Sequence, residues 1–269
     1  MEHTPEFFGT PDQQTVQRRA ANIWQLLRDD PDYSCHGRAV ALSEFTPENL
    51  PQQLALARLQ GVGACEGLTA DTIADRRAAL RAEGLQTDEF VSWAGGEQAV
   101  AAARAVCAAR QLAPDLDLVS VDENTPADDL AQLDALTHSC GVLLPMGTFL
   151  RGRERPAVCL FARDRGGRIV ATSASIAQFH PDSRKGDIAW WGMLATDEDR
   201  RGEGSALVMG ALSLIAMHER YGFNRFFTGI RQDNLPSEKL CSKLGLRNNG
   251  NLVLLAIDPD VMSGGRLTK

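Results

Sequence analysis

Apolar residues recur along the chain with helical and strand periods, and these periods predict the elements of the fold. A first helix is predicted after Thr10, because Pro11 stands at its first position and Val16, Ala20 and Trp24 share one face. Further helical patterns lie at 50–59, 69–83 and 97–110, and short strands are predicted at 38–42 and 89–93. The first 113 residues are therefore expected to form a mainly helical α+β domain.

Beyond Pro114 the pattern changes to a regular alternation of strand and helix signals. Strands are predicted at 116–121, 157–162, 168–179, 188–196, 223–230 and 252–257, and helices at 125–138, near Phe149, at 205–220 and at 236–244. The order β-α-α-β-β-β-α-β-α-β predicts an α/β fold. We therefore place a domain boundary at Pro114, with an N-terminal domain over 1–113 and a C-terminal domain over 114–269.

Two glycines separated by one residue stand between a predicted strand and a long apolar helix. The segment 194–206 has the sequence LATDEDRRGEGSA. Gly202 and Gly204 let the backbone turn tightly, and the helix that follows directs its N–H groups and its positive end to the same place. This arrangement is typical of a pyrophosphate-binding loop, and an ordinary tight turn is the structural alternative.

Two motifs in the right order resemble the GCN5-related N-acetyltransferases. The segment 201–206, RGEGSA, is similar to the family's pyrophosphate loop, which has Arg or Gln, two variable residues, Gly, one variable residue, and Gly or Ala. The segment 234–246 is similar to the second motif, an Asn followed by a helix that ends in Gly and an apolar residue. The resemblance covers 116–258 and implies a mixed sheet, splayed in the middle around acetyl-CoA as cosubstrate.

The resemblance also implies which residues bind the cofactor. Six consecutive residues would bind the pyrophosphate through their backbone, with the side chain of the first positioning the loop: Arg201, Gly202, Glu203, Gly204, Ser205 and Ala206. Leu194, Ala195 and Thr196 would pair through their backbone with the pantetheine arm, and an N–H group there would polarise the thioester carbonyl. Asn234 would hydrogen-bond the pantetheine or the splayed strands, and Ser237 would line the same arm.

The catalytic residues are less clearly marked by the sequence. Many members of the family use a Tyr on the last helix as general acid, and Cys241 stands at that position. Trp190 and Trp191 occupy the place where some members have a glutamate base, so Asp187 and His180 become the candidates for the base. Each candidate has a structural alternative, a buried thiol for Cys241 and a solvated group for the other two. On a strand the two tryptophan rings face opposite sides, so either one of them faces an acceptor groove or both lie in the core.

Composition and charge narrow the function class. The chain has 269 residues, a net charge of −7 and no lysine in its first half, so nucleic acid is not expected as a partner. It has no apolar run near the ~20 residues that span a membrane and no secretory leader, so we expect a cytoplasmic protein. The six cysteines show no metal-ligand spacing, and no metal is expected. A homodimer is one assembly compatible with these features.

Three hypotheses for function follow from the resemblance. The first is an N-acetyltransferase that moves an acetyl group from acetyl-CoA to an amine of a small molecule or a peptide. The second is a CoA-binding regulatory module without transfer activity, and the third is transfer of a longer acyl group. Six arginines near the predicted hairpin, between 151 and 168, form either a solvated edge or a patch that attracts an acidic acceptor.

The first 113 residues match no known motif, but they contain one internal echo. The segment 79–85, ALRAEGL, precedes a predicted strand in the same way as 240–246, LCSKLGL. The N-terminal half is therefore either a domain of unknown role or a degenerate unit of the same family that lacks the pyrophosphate loop.

Overall fold

The N-terminal sequence forms the helix that its pattern predicts. In the computed structural model, which describes residues 6–268, the side chain of Thr10 accepts a hydrogen bond from the Gln13 backbone and the Gln13 side chain accepts one from the Thr10 backbone. This reciprocal cap satisfies two N–H groups that the first turn leaves free. The apolar face of the helix, with Val16, Ala20 and Trp24, is buried.

The strands of residues 6–268 form one continuous sheet of ten strands. In chain order they are β1 Tyr33–Cys35, β2 Val40–Leu42, β3 Val62–Leu68, β4 Gln86–Gly95, β5 Leu116–Ser120, β6 Ala157–Asp164, β7 Ile169–Ile176, β8 Ile188–Thr196, β9 Arg225–Ile230 and β10 Arg247–Ile257. Across the sheet the order is β1-β2-β3-β10-β4-β9-β8-β7-β6-β5. The last strand of the chain therefore lies in the middle of the sheet, between strands of the N-terminal half.

Helices cover both faces of this sheet. They are α1 Pro11–Leu27, α2 Leu50–Gln60, α3 Ala70–Ala82, α4 Glu97–Ala109, α5 Ala127–Ser139, α6 Gly147–Leu150, α7 Ser205–Tyr221 and α8 Leu235–Lys243. Successive side chains of a strand point to opposite faces. On β6, Phe161 belongs to the apolar cluster that contains α5, whereas Leu160 belongs to the cluster that contains α7. The α/β fold with a mixed sheet is thereby confirmed.

The order of elements predicted for 114–269 agrees with the structure, whereas two strands of the N-terminal half were not predicted. β1 is only three residues long. β3 has the sequence VGACEGL, in which two glycines and an alanine weaken the strand signal. Because β3 is buried between β2 and β10, its position in the sheet rather than its residue preferences makes it a strand.

The two halves of the chain repeat one pattern, β-α-β-α-β. The N-terminal repeat is β2–α2–β3–α3–β4, and the C-terminal repeat is β8–α7–β9–α8–β10. The first two strands of each repeat are parallel to each other. Each repeat places its last strand beside the other repeat, since β10 pairs with β3 and β4 pairs with β9, while β4 and β10 pair with each other. The echo between 79–85 and 240–246 marks corresponding helix ends in the two repeats.

This strand exchange joins the two halves through their backbones. The boundary between residues 113 and 114 stays a prediction, because a shared sheet does not test whether either half folds alone. In the shared sheet, β10 pairs with both β3 and β4, and its residue Leu254 is fully buried.

Leu254→Ala is expected to lower the free energy of unfolding by about 2–5 kcal/mol, because it leaves a cavity at the junction of the two repeats. Denaturant unfolding followed by tryptophan fluorescence should show one transition for the parent and for the variant. Leu26→Ala is the matched control, since Leu26 is 83% exposed, and it should change stability by less than about 0.5 kcal/mol. Two separate transitions, only one of them shifted by Leu254→Ala, would show that the halves unfold independently.

Candidate functional site

Strands β8 and β9 pair over only part of their length and then separate. The parallel pairing joins 188–190 to 225–227, but β8 continues to Thr196 and β9 continues to Ile230. A wedge therefore opens at the carboxyl ends of the two strands, where ligands of α/β sheets commonly bind. The helices α7 and α8 begin just beyond this wedge.

A bulge in β8 lies on the edge of the wedge. The register between β7 and β8 shifts between Thr172 and Ala174, and the residue opposite the shift, Met193, has a φ of 58°. A methionine rarely adopts this left-handed conformation, which costs about 1–3 kcal/mol and is found mainly at functional sites. The bulge re-aims the backbone of 192–194 at the point where β8 leaves its partner.

The predicted pyrophosphate loop has the backbone that its glycines allow. Gly202 and Gly204 have φ values of 84° and 85°, and Gly204 is the N-cap of α7. The first N–H groups of a helix have no acceptor within the helix, and they carry a partial positive charge. Arg200 stabilises the loop, because it binds both carboxylate oxygens of Asp115 at 2.8 and 3.1 Å and Glu203 at 3.0 Å.

One further cation beside this loop was not predicted from the sequence. Arg110 follows α4, and its Nη1 lies 3.3 Å from the place that a Cβ on Gly204 would take. The guanidinium therefore borders the space above the loop. No ion pair of Arg110 with another residue of the described chain is seen. The sequence did not indicate this contact, because Arg110 and Gly204 are far apart in the chain and meet only where α4 packs on α7.

One cavity of about 530 Å³ runs from the loop through the wedge to the N-terminal repeat. Of the residues predicted to bind the cofactor, those that line this cavity are Leu194, Ala195, Thr196, Arg201, Ala206, Asn234 and Ser237. Gly202, Glu203, Gly204 and Ser205 lie in the loop outside its lining. Asn234 caps α8, because its Oδ1 accepts a hydrogen bond from the Ser237 backbone at 3.3 Å.

The three predicted catalytic residues lie in different places. Cys241 lines the cavity but is buried, and burial raises the pKa of its thiol to about 12. Asp187 precedes β8 at the end opposite to the wedge, and it forms an ion pair with Arg225 at 2.9 Å. His180 accepts a hydrogen bond from the Asp182 backbone at 3.1 Å. The structure does not bring Asp187 or His180 to the cavity wall.

The far end of the cavity is a polar chamber formed by His36, Arg38, Glu66 and Gln178 around the ring of Trp190. The His36 ring stacks on Trp190, with 4.6 Å between centroids, and the Arg38 guanidinium lies 5.0 Å from the centroid of the same ring. Three of these residues belong to the N-terminal half, and none was predicted as a site residue. Their loops and strands are brought to β8 only by the tertiary fold.

Gln178 links two of these side chains and thereby fixes the tautomer of the imidazole. Its Nε2 donates to Glu66, so its Oε1 is the atom 2.9 Å from His36 Nδ1 and must accept a hydrogen from it. In its neutral form His36 therefore carries its hydrogen on Nδ1 and has a free lone pair on Nε2. Burial, assisted by the charge of Arg38, lowers the pKa of His36, whereas burial raises the pKa of Glu66 to about 7.

Metal-binding and membrane-spanning features were also sought over residues 6–268. No group of three or more His, Cys, Asp or Glu side chains in this range could hold a metal ion. None of the helices described in it has both the length and the apolar character to cross a bilayer.

Comparison with known proteins identifies the fold. No protein-family model matches the chain, and no curated protein matches it significantly. A structural-genomics protein from Drosophila superposes with a TM-score of 0.56 at 12% identity, covering 93% of this chain and 90% of that one. A GCN5-related N-acetyltransferase from Kribbella flavida superposes with a TM-score of 0.51 at 13% identity, covering 90% of this chain and 95% of that one. The fold predicted from the two motifs is thereby confirmed.

Gly204→Asp is expected to abolish binding of acetyl-CoA, the ligand that the motifs imply. The carboxylate would stand where backbone N–H groups meet phosphate, and loss of two charge-assisted hydrogen bonds weakens affinity by ~10²-fold or more. Gly222→Asp at the other end of α7 is the control, since Gly222 has a φ of 78° and open space around it. Isothermal titration of both folded variants decides the matter. Parent-like affinity in Gly204→Asp would mean that the loop is an ordinary turn.

Arg110→Ala is expected to weaken acetyl-CoA binding by about 3- to 10-fold at low salt, and by less at high salt, because an exposed charge is screened. Arg104→Ala on the same helix is the control, since Arg104 is exposed and contacts only Glu219, at 3.5 Å. Titrations at two ionic strengths measure the effect. An equal loss in both variants, or a loss that salt does not change, would contradict a phosphate contact by Arg110.

Proposed function

We propose that this chain, which has the fold of the GCN5-related N-acetyltransferases, transfers an acetyl group from acetyl-CoA to an amine of a small molecule or peptide. The observation that carries the proposal is the continuous cavity, which joins the glycine loop to the polar chamber through the wedge between β8 and β9. Direct transfer requires the thioester and the amine to meet in one enclosed space, and this cavity supplies it.

The donor side of the cavity matches the parts of an acyl-CoA. The loop at 201–206 offers backbone N–H groups to a pyrophosphate, with Arg110 and Arg201 beside it. Beyond 190, β8 has no strand partner on its β9 side, so its backbone can pair with an extended amide-containing arm, as in strand addition. At the bulge, a redirected N–H group can stabilise the oxyanion that forms when the amine attacks the carbonyl.

His36 is the group that we assign to the amine proton. The neutral amine attacks the thioester carbonyl, the C–S bond breaks, and the proton passes to the free lone pair of His36 Nε2. Because burial and the charge of Arg38 lower the pKa of His36 to about 3, the imidazole holds the proton only transiently and passes it on to the departing thiolate, a stronger base with a thiol pKa of ~8.5. The hydrogen bond from Nδ1 to Gln178 holds the tautomer in which Nε2 is free.

Two other titratable groups fit this role less well. Glu66 lines the chamber, but Gln178 lies between its carboxylate and His36, the imidazole that stacks on Trp190. Its hydrogen bond to Gln178 makes it a positioning residue. Cys241 has a thiol pKa of about 12, so transfer of its proton to a thiolate of ordinary pKa ~8.5 is unfavourable.

The protein should release CoA, detected as free thiol, from acetyl-CoA when an accepting amine is present. The assay measures this release across a broad panel of amines. In this assay His36→Ala is expected to lower turnover by ~10²-fold or more, because it removes the proton acceptor. Cys241→Ala, a buried neighbour in the same cavity, should lower turnover by less than ~10-fold. A reaction with protein but without amine corrects for the protein's own thiols, since its cysteines are unpaired.

Affinity for acetyl-CoA, measured by titration, should stay near the parent value in both variants. The reverse order of effects, with Cys241→Ala severely impaired and His36→Ala active, would assign the proton transfer to the thiol. Tight acetyl-CoA binding with no amine-dependent thiol release over the whole panel would contradict the proposed transfer and favour a CoA-binding module.

A further inference from the structure

The polar chamber contains a buried side-chain donor that has no acceptor within the described chain. Gln178 forms hydrogen bonds with both Glu66 and His36. Arg38 donates from Nε to the Leu143 carbonyl at 2.6 Å, but its Nη2 is buried and has no acceptor among residues 6–268. Since only 9% of Arg38 is exposed, bulk water does not replace that acceptor.

Arg38 also lacks a neutralising partner. No carboxylate of the part of the chain that the structure describes lies within ion-pair distance of it. Burial lowers its pKa only to about 9, so the guanidinium is still charged at neutral pH. Arg231, on the same cavity, is neutralised by Asp88. A buried, unpaired charge of this kind is unfavourable unless a ligand compensates it.

The arginines near the hairpin do not offer an alternative site. Arg151 binds Glu6 at 2.8 Å, Arg153 binds Glu123 at 2.5 Å, and Arg163 binds Asp129 at 2.5 Å. Arg168 contacts three aspartates, the nearest at 3.3 Å. Four of the six arginines at this edge are therefore paired with carboxylates, which favours the interpretation of a solvated edge.

The pyrophosphate of the donor cannot be the anion that Arg38 lacks. Arg38 lies over Trp190, and the loop begins beyond Thr196, six residues further along β8, which corresponds to ~20 Å. The anion must therefore belong to a group that enters the chamber itself. A guanidinium stacked on an indole keeps its N–H donors in the plane of its fork, the geometry that binds a carboxylate.

We propose that Arg38 binds a carboxylate of the acceptor, so that the acceptors are amines of the amino-acid class that carry this carboxylate on the same skeleton as the reacting nitrogen. The inference rests on the proposed function and adds the substrate class to it. The carboxylate fixes the acceptor at Trp190, and the amine faces His36, which stacks on the same ring.

The experiment compares amino acids with the matching amino acid amides as acceptors of the acetyl group. The parent should show a KM at least ~10-fold lower for the acids. Arg38→Gln should raise the KM for the acids by about 10- to 100-fold, the loss expected for a charge-assisted hydrogen bond, and leave the KM for the amides nearly unchanged. Because the charge of Arg38 also lowers the pKa of His36, any change in kcat should be the same for acids and amides. Arg38→Lys, which keeps the charge, should restore part of the preference.

A binding measurement separates this inference from the proposed function. The ligands are N-acetyl amino acids and their amides, titrated into the protein in the presence of CoA. They have no ionisable amine and are not turned over, so their affinities measure the preference for a carboxylate directly. The acid should bind the parent more tightly than the amide, and Arg38→Gln should abolish the difference. If this preference holds but no amine is acetylated, the transfer reaction is wrong and the anion site stands.

Three outcomes would overturn the inference. Equal binding of acid and amide by the parent would show that no carboxylate site exists. An equal loss for acid and amide in Arg38→Gln would reduce Arg38 to a structural role. Finally, Arg38→Gln could weaken only the binding of a CoA thioester whose acyl chain ends in a carboxylate and leave the binding of acetyl-CoA unchanged. The anion would then belong to the acyl group rather than to the acceptor.

Discussion

Incomplete pairing of two parallel strands is the constraint on which the site depends. β8 and β9 are held together at 188–190 and 225–227 and cannot remain paired beyond that point, because β8 bulges at Met193 and each strand turns into its own helix. The separation leaves backbone polar groups unpaired in the interior, a state that is unfavourable without a ligand or water. The same separation brings the N-termini of α7 and α8 to the mouth of the wedge. The end of the cavity that we assign to the donor therefore exists because β8 and β9 separate before their carboxyl ends.

The exchange of last strands between the repeats brings residues of the N-terminal half to the cavity. Because β4 lies beside β9 and β10 lies beside β3, the two repeats face each other across one sheet, and His36, Arg38 and Glu66 reach the wedge of the C-terminal repeat. Arg110 approaches the glycine loop in the same way. The corresponding segment of the N-terminal repeat, 43–49, has the sequence SEFTPEN and no glycine pair, so it lacks the backbone that a pyrophosphate loop needs. We interpret the first repeat as a unit that completes the acceptor end of its partner's site.

Local sequence signals predicted the glycine loop that we assign to the donor, and they did not indicate the polar chamber that we assign to the acceptor. Gly202 and Gly204 act on their own loop, and the Asn234 cap acts on its own helix, so a short window contains the whole signal. The chamber has no such window, because Gln178 joins His36 and Glu66 across the sheet and Glu66 stands on β3, whose glycines conceal the strand. The adjacent tryptophans were predicted to face opposite sides. The indole N–H of Trp191 donates to Ser213 of α7 at 2.9 Å, whereas the ring of Trp190 stacks with His36. The ring that faces the chamber is therefore that of Trp190.

The central claim is that the wedge holds the thioester between the glycine loop and the polar chamber, and a crystal structure of the full chain with acetyl-CoA tests it most directly. The account predicts pyrophosphate density against the backbone of 201–206 and the acetyl group between the Met193 bulge and the ring of Trp190. A cofactor bound elsewhere, for example at the corresponding point between β2 and β3, or a thioester directed away from Trp190, would contradict it.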